Sequence, residues 1–143
     1  MKIYYREKSG GIEILRCFGV EGRVEIPGMI DDKLVISAAP YAFSSHMDEK
    51  EELKNASLWE VSDGLGFGRE EHVLAGNDVE EIVFPHTLKE IGRYIFYGCG
   101  NLKKLEFSDS LMQIGCGAFT GCHALEKLTV HMRQGKKSGV KEM

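Results

Sequence analysis

The sequence predicts a mainly β protein in which about five repeats of 23 residues stack into a solenoid. The first observation is the repeat itself, since residues 79–99 align with residues 102–122 at a constant offset of 23. The second is an alternation of apolar residues, as at Ile82 and Phe84, which is typical of a strand. The third is the glycine content, 17 of 143 residues or about 12% against a usual 7%, which indicates many turns. A single copy cannot bury its apolar face, whereas stacked copies share one core.

Each copy is predicted to contain a strand, a tight turn and a second extended arm. In the arm, apolar residues recur three apart, as at Leu88 and Ile91, over a stretch too short for a helix. The arm ends at Gly92, or at its equivalent 23 residues later, where we expect a positive φ. An aromatic residue then closes the copy, and we expect Phe96 and Phe119 to fill equivalent core pockets.

The period places the repeats within a single domain that covers residues 1–132. The predicted copies are residues 21–55, 56–78, 79–101, 102–124 and an incomplete copy at 125–132. The copy at 56–78 is degenerate, with Trp59 and Val61 on its apolar sites.

Three segments fall outside the repeat. Residues 1–20 read as a β-hairpin that caps the N-terminal edge of the stack. Residues 44–55 predict a short surface helix, in which Ser45 and Asp48 resemble a capping box. The tail, residues 133–143, has no apolar period and is predicted to be disordered.

The repeat resembles a known family. The pattern I-x-F-P-x-x-L-x-x-I-G-x-x-x-F-x-x-C of residues 82–99, together with the segment Gly22–Pro27, is similar to the BspA-type leucine-rich repeat of bacterial proteins. The resemblance covers roughly residues 11–130 and is strongest over 79–124. It implies a leucine-rich repeat solenoid that binds proteins or surfaces and does not catalyse a reaction.

Composition and charge exclude several classes of protein. With 18 basic and 22 acidic side chains the net charge is −4, so no global field favours nucleic acid. No stretch approaches the roughly 20 apolar residues that span a bilayer, which argues against membrane insertion. The chain begins without a signal peptide and is therefore expected in the cytoplasm, or at the cell surface if it is a fragment of an exported protein.

The four cysteines are predicted to be free thiols. Cys99 and Cys122 occupy the same repeat position, which would suit a metal or redox site if further ligands recurred beside them. None recurs, so a ladder of buried thiols that act as small apolar residues is the favoured interpretation, with no metal and no cofactor.

The sequence contains no clear signature of catalysis. The glycines at Gly64, Gly66 and Gly68 suggest a nucleotide-binding loop, but Arg69 stands where that motif needs its last glycine. No nucleophile has a histidine base and an orienting group at fixed repeat positions. We therefore expect no enzymatic activity and no catalytic residues.

The outward positions of the predicted strands are the candidate binding face. They form two neighbouring columns, which include Glu25, Leu58, Glu60, Glu81, Val83, Lys104, Glu106, Lys127 and Thr129. Leu58 and Val83 would supply apolar contacts, and Glu81 would neighbour Lys104 across one rung. The alternative interpretation is a solvated sheet face of mixed charge.

The favoured function is a non-enzymatic protein-interaction module whose partner is a protein of unknown identity. The alternative is a structural or assembly domain, or a fragment of a larger surface adhesin. The incomplete last copy leaves a strand edge open at residues 125–130, through which a homodimer could form.

Overall fold

Two β-sheets pack against a common core in this protein, as seen in a computed structural model that describes residues 1–61, 70–132 and 139–142. The strands are β1 (Lys2–Lys8), β2 (Gly11–Gly19), β3 (Arg23–Glu25), β4 (Met29–Ile30), β5 (Lys33–Ala38), β6 (Ser57–Glu60), β7 (His72–Val73), β8 (Glu81–Val83), β9 (Glu90–Ile91), β10 (Lys104–Ser108), β11 (Gln113–Ile114), β12 (Lys127–His131) and β13 (Gly139–Glu142). The described helices are α1 (Glu49–Glu52) and a 3-10 turn (Gly76–Asp78). The predicted fold class, a mainly β repeat solenoid with an N-terminal hairpin and a short helical insertion, is confirmed.

The first sheet, called the ladder sheet below, has the strand order β13-β12-β10-β8-β3. Strands β3, β8, β10 and β12 are parallel and in register, so that Val24, Ile82, Leu105 and Leu128 form one ladder of apolar side chains. The offset of 23 residues found in the sequence is therefore the register of the sheet from β8 to β12.

The second sheet, called the arm sheet, contains the second arms of the repeats. Strands β5, β9 and β11 are parallel, and Ala38, Ile91 and Ile114 lie side by side in them. The N-terminal hairpin continues this sheet, because β2 pairs in parallel with β5 and β1 pairs with β2. The hairpin thus caps the arm sheet, while β3 remains the terminal strand of the ladder sheet on that side.

The core lies between the two sheets and contains a stack of aromatic rings. Phe43 and Phe96 are fully buried, with ring centroids 6.1 Å apart, and Phe119 follows Phe96 at 5.6 Å. Phe119 is only partly buried, because it lies at the C-terminal end of the stack. The two pockets predicted to be equivalent therefore share a repeat position but differ in burial.

Gly92 and Gly115 are required for a different reason than predicted. Neither residue has a positive φ. Instead, successive turns approach so closely that a Cβ on Gly92 would lie 2.3 Å from the nitrogen of Pro40, and a Cβ on Gly115 would lie 2.2 Å from the nitrogen of Arg93. These glycines allow backbone to pack on backbone.

Residues 57–60 do not form a rung of the ladder sheet, which corrects the register projected for the copy at 56–78. Strand β3 pairs directly with β8, and β6 pairs antiparallel with β1. The physical reason is that β1 would otherwise leave a row of backbone N–H and C=O groups unpaired, and β6 satisfies them. Residues 62–69 lie outside the described residues, and with them the glycines at 64, 66 and 68.

Two details of the remaining segments differ from expectation. The helical insertion is present, but its N-cap is Asp48, whose side chain accepts a hydrogen bond from the Glu51 N–H, rather than Ser45. In the tail, residues 139–142 form β13, which pairs antiparallel with β12. The edge of β12 that was expected to be open is therefore covered by the chain itself, and residues 133–138 lie outside the described part.

Candidate functional site

The ladder sheet aligns most of the predicted binding residues into two columns on its outward face. The first column contains Arg23, Glu81, Lys104 and Lys127, and the second contains Glu25, Val83, Glu106 and Thr129. Both columns are set by the alternation of each strand, because the residue between them, such as Val24 or Ile82, points into the core.

Leu58 and Glu60 do not belong to this face. They lie on β6, opposite Tyr4 and Lys2 of β1. Trp59, from the same strand, is partly buried and packs against the core. Seven of the nine predicted residues therefore lie on one face of the ladder sheet, and Leu58 and Glu60 lie elsewhere.

The two columns carry opposite net charges. The first, called the basic stripe, holds three cations and one carboxylate, a net charge of +2, and the second, the acidic stripe, holds two carboxylates. At one end the stripes are linked, since the Arg23 Nη1 atom lies 3.0 Å from Glu25 Oε2 and the Arg23 Nε atom lies 3.6 Å from Glu81 Oε2. The hydrogen bond to Glu25, supported by the charge of Glu81, raises the pKa of Arg23.

A groove of about 750 Å³ runs beside the acidic stripe, and we call it the stripe groove. It crosses the carboxyl-terminal ends of β3 and β8 and reaches β12. Among the described residues, its lining comprises Met1, Glu25, Ile26, Pro27, Gly28, Trp59, Val61, Val83, Phe84, Pro85, His86, Thr87, Glu106 and His131. Strand β6, although it lies outside the ladder sheet, contributes Trp59 to the lining of the groove.

Histidines at the far end of the stripe groove were missed by the sequence analysis. The His131 Nε2 atom is hydrogen-bonded to Glu106 Oε1, and the rings of His86 and His131 lie 5.5 Å apart. The Ser108 hydroxyl donates to the carbonyl of His86 at 3.1 Å and so fixes the turn that carries this residue. His86 and His131 do not share a repeat position, so the periodicity gave no signal for their proximity.

A second cluster of charge lies on the arm sheet and is internally satisfied. Glu13 is 3% exposed and accepts hydrogen bonds from Arg6 at 2.8 Å, Lys8 at 3.2 Å and Ser37 at 3.2 Å. Lys8 also bonds Glu90 at 2.6 Å, which raises the pKa of Lys8 and lowers that of Glu90. The cluster joins the hairpin to the first two arms, and its groups are already paired with one another.

Cys99 and Cys122, called the cysteine column because they share one repeat position, have thiols that are hydrogen-bonded to backbone carbonyl groups. The Cys99 thiol donates to the carbonyl of Phe43 at 3.2 Å, and the Cys122 thiol donates to the carbonyl of Phe96 at 3.3 Å. Burial raises the pKa of Cys99 to about 12 and that of Cys122 to about 11, so both are protonated at neutral pH. Within the described residues, no group of three or more His, Cys, Asp and Glu side chains is arranged to hold a metal ion.

Comparison with known proteins places this architecture among repeat proteins. Residues 70–138 match the family model described as a BspA type leucine rich repeat region (6 copies). No curated protein matches the chain. No helix in residues 1–61, 70–132 or 139–142 combines the length and apolar character that a membrane span requires.

Two solved structures are similar to the chain. A leucine rich cell surface protein from Faecalibacterium prausnitzii A2-165 has a TM-score of 0.57 and 19% identity, over 90% of this chain and 30% of that protein. The leucine rich repeat protein TpLRR of T. pallidum has a TM-score of 0.36 and 23% identity, over 87% of this chain and 66% of that protein. The chain therefore spans less than a third of the first protein, and that likeness concerns the fold.

Proposed function

Residues 70–138 belong to the BspA-type leucine-rich repeat family, and from this premise we propose that the chain is a non-enzymatic protein-interaction module. Its binding face is formed by the basic stripe, the acidic stripe and the stripe groove. The observation that carries the proposal is the register of the ladder sheet, which fixes two columns of opposite net charge beside a groove.

The arrangement of the face suits recognition of another protein. Charged side chains on a rigid sheet are held at fixed spacing, so that a complementary surface can be selected and mismatched charges are penalised. The groove adds partly exposed apolar groups, Val83 and Pro85, beside the charges. Binding energy at protein interfaces is concentrated in such pockets and not in the rim charges.

A charge-reversal experiment tests this proposal. The double variant Lys104→Glu and Lys127→Glu reverses the basic stripe, and the double variant Lys50→Glu and Lys54→Glu makes the same change on the helical insertion. Tagged proteins are used to capture partners from fractions of the source cell, and the captured proteins are quantified by mass spectrometry.

We expect at least one protein that the wild type and the Lys50/Lys54 control retain and that the stripe variant loses by about tenfold or more. Equal capture by all three proteins would contradict a binding face at the stripes.

A second candidate function is assembly with further repeats, and one observation favours it. Ile114 of β11 is 51% exposed, whereas its equivalent Ile91, covered by the next rung, is 3% exposed. Met112 beside it is 79% exposed. The C-terminal end of the arm sheet therefore presents apolar side chains of the kind that one rung buries against another.

If assembly is the function, light scattering at increasing concentration detects a mass above that of the 16.0 kDa monomer, and the substitution Ile114→Lys lowers that mass.

A further inference from the structure

The residues that line the stripe groove indicate the chemistry of the partner that it binds. We infer that it accepts a short extended polypeptide segment in which apolar side chains alternate with lysine or arginine. This inference rests on the proposed function, because it specifies the partner of the same face.

The dimensions of the groove suit an extended segment. It crosses the ends of β3, β8, β10 and β12, and neighbouring strands in a sheet lie about 4.8 Å apart, so the distance covered is about 14 Å. An extended chain rises about 3.3 Å per residue, so four or five residues fill that distance. The volume of about 750 Å³ lies within the usual range of ligand-binding clefts.

Much of the groove lining is apolar. Pro27, Val83, Pro85 and Trp59 all line it beside the acidic stripe. The two prolines follow equivalent strands and have no backbone N–H, so they offer no main-chain donor to a bound segment. A polar side chain placed against these apolar groups would lose hydration that they cannot replace, which favours apolar side chains.

The charges that line the groove favour a cation. Glu25 and Glu106 lie along it, and no lysine or arginine is found among the described residues that line it. Met1 also lines the groove, but its N-terminal ammonium is paired with Glu71 at 2.6 Å. Glu25 is already bonded to Arg23, so Glu106 is the stronger partner for an incoming charge. Glu106 is only one-third exposed and is hydrogen-bonded to the ring of His131. A carboxylate in such a partly desolvated position attracts a cation more strongly than one in bulk water.

The basic stripe sets the opposite preference outside the groove. Lys104 and Lys127 lie one column away, so an acidic segment would be drawn to the stripe and not into the groove. A partner whose cationic positions enter the groove and whose flanks carry acidic residues would match both columns.

The single tryptophan of the chain provides a direct measurement. Because Trp59 lines the groove, occupancy changes its fluorescence. The probe is an acetylated and amidated five-residue peptide of alternating valine and lysine, and the two controls carry glutamine or glutamate in place of lysine.

We expect the lysine peptide to produce a saturable change in Trp59 emission, with a dissociation constant at least about tenfold lower than that of either control. In Glu106→Gln, the preference for lysine over glutamine should fall by about tenfold, while the matched variant Glu52→Gln on α1 keeps it. Val83→Thr should weaken the binding of all three peptides alike, because it changes an apolar lining residue and not the charge. Circular dichroism melts establish that each variant is folded.

A saturable preference for the glutamate peptide, or no saturable change with up to about 5 mM lysine peptide, would overturn the inference. These results are distinguishable from failure of the proposed function. If the Lys104 and Lys127 variant still loses its captured partner, the binding face stands and only the chemistry assigned to the groove is wrong.

Discussion

At the scale of single residues, the closest packing in the solenoid is between backbones. Gly92 lies against the peptide bond between Ala39 and Pro40, and a Cβ there would come within 2.6 Å of the Ala39 carbonyl carbon. Backbone atoms cannot swing aside as the end of a flexible side chain can, so the turn itself would have to move. The spacing of successive turns therefore depends on a residue without a side chain.

We predict that Gly92→Ala destabilises the protein by about 3 kcal/mol or more, the upper end of the cost of overpacking. Gly28→Ala is the matched control, because a Cβ at Gly28 would meet Pro85 at an ordinary 3.7 Å and its φ is not positive. That control should change the free energy of unfolding by less than about 1 kcal/mol. Urea unfolding measures both, and equal midpoints for the two variants would contradict the close approach.

The thiols differ in the access that a reagent has to them. Cys116 is exposed, whereas burial raises the pKa of Cys17 and Cys99 to about 12 and that of Cys122 to about 11. A raised thiol pKa means that the reactive thiolate is scarce at pH 8.

We predict that a thiol reagent at pH 8 modifies Cys116 first in the folded protein and modifies four cysteines after unfolding under reducing conditions. Peptide mapping by mass spectrometry identifies the first site. If Cys99 reacted as fast as Cys116, or if only two thiols were modified after unfolding, the cysteine column would not be a set of buried free thiols.

At the scale of elements, the aromatic residues of the stack occupy equivalent repeat positions but are buried to different extents. Phe96 lies between Phe43 and Phe119, while Phe119 has a ring on one side within the described residues. We predict that Phe96→Ala costs about 3–5 kcal/mol and that Phe119→Ala costs less than half as much, since fewer contacts are lost. Thermal unfolding measures the difference. A larger cost at Phe119 would mean that the C-terminal end is more enclosed than its exposure indicates.

Strand β2 holds the helical insertion through one buried cation. Arg16 is 3% exposed, donates to the carbonyls of Ser44 at 2.6 Å, Tyr41 at 3.2 Å and Ala42 at 3.3 Å, and pairs with Glu49 at 3.0 Å. Desolvation lowers the pKa of Arg16, and the hydrogen bond from its guanidinium to Glu49 opposes this effect.

We predict that Arg16→Met costs about 3–5 kcal/mol, because buried carbonyl groups lose their donor and methionine replaces only the volume. Arg23→Met, at an exposed ion pair, should cost less than about 1 kcal/mol. Comparison of the two melting temperatures checks the prediction, and a stable Arg16→Met would show that the carbonyls find other donors.

The elements differ in how far sequence could predict them. The register of β8, β10 and β12 followed from the repeat, because parallel stacking of identical units brings equivalent residues together. The pairing of β6 did not, because the spacing of Trp59 and Val61 fits a strand against β1 as well as a rung. The groove residues His86 and His131 were also missed, since their proximity depends on a turn and not on the period.

At the scale of the whole molecule, the burial of the apolar ladder decreases along the stack from β3 to β12. Val24 and Ile82 are fully buried, Leu105 is nearly so, and Leu128 is only partly buried. Stability in a solenoid is the sum of local units and their interfaces, so the least covered end opens first. We predict that hydrogen exchange is slowest in β2 and β8 and faster in β12, whose outer partner β13 is itself a terminal strand of the sheet. Uniform exchange across these strands would indicate a single cooperative unit and would contradict the gradient.

The parallel register also determines how the protein would respond to a pulling force. Because each rung bonds only its neighbours, a load applied at the C-terminal end is carried by one strand interface at a time, and rungs should detach in succession. Each detached repeat of 23 residues releases about 80 Å of extended chain. The N-terminal part should resist longer, because β6 and β7 return to β1 and β2 before the next rung begins and so tie that end together. The protein would therefore extend in regular steps from one end and yield at a single higher force at the other.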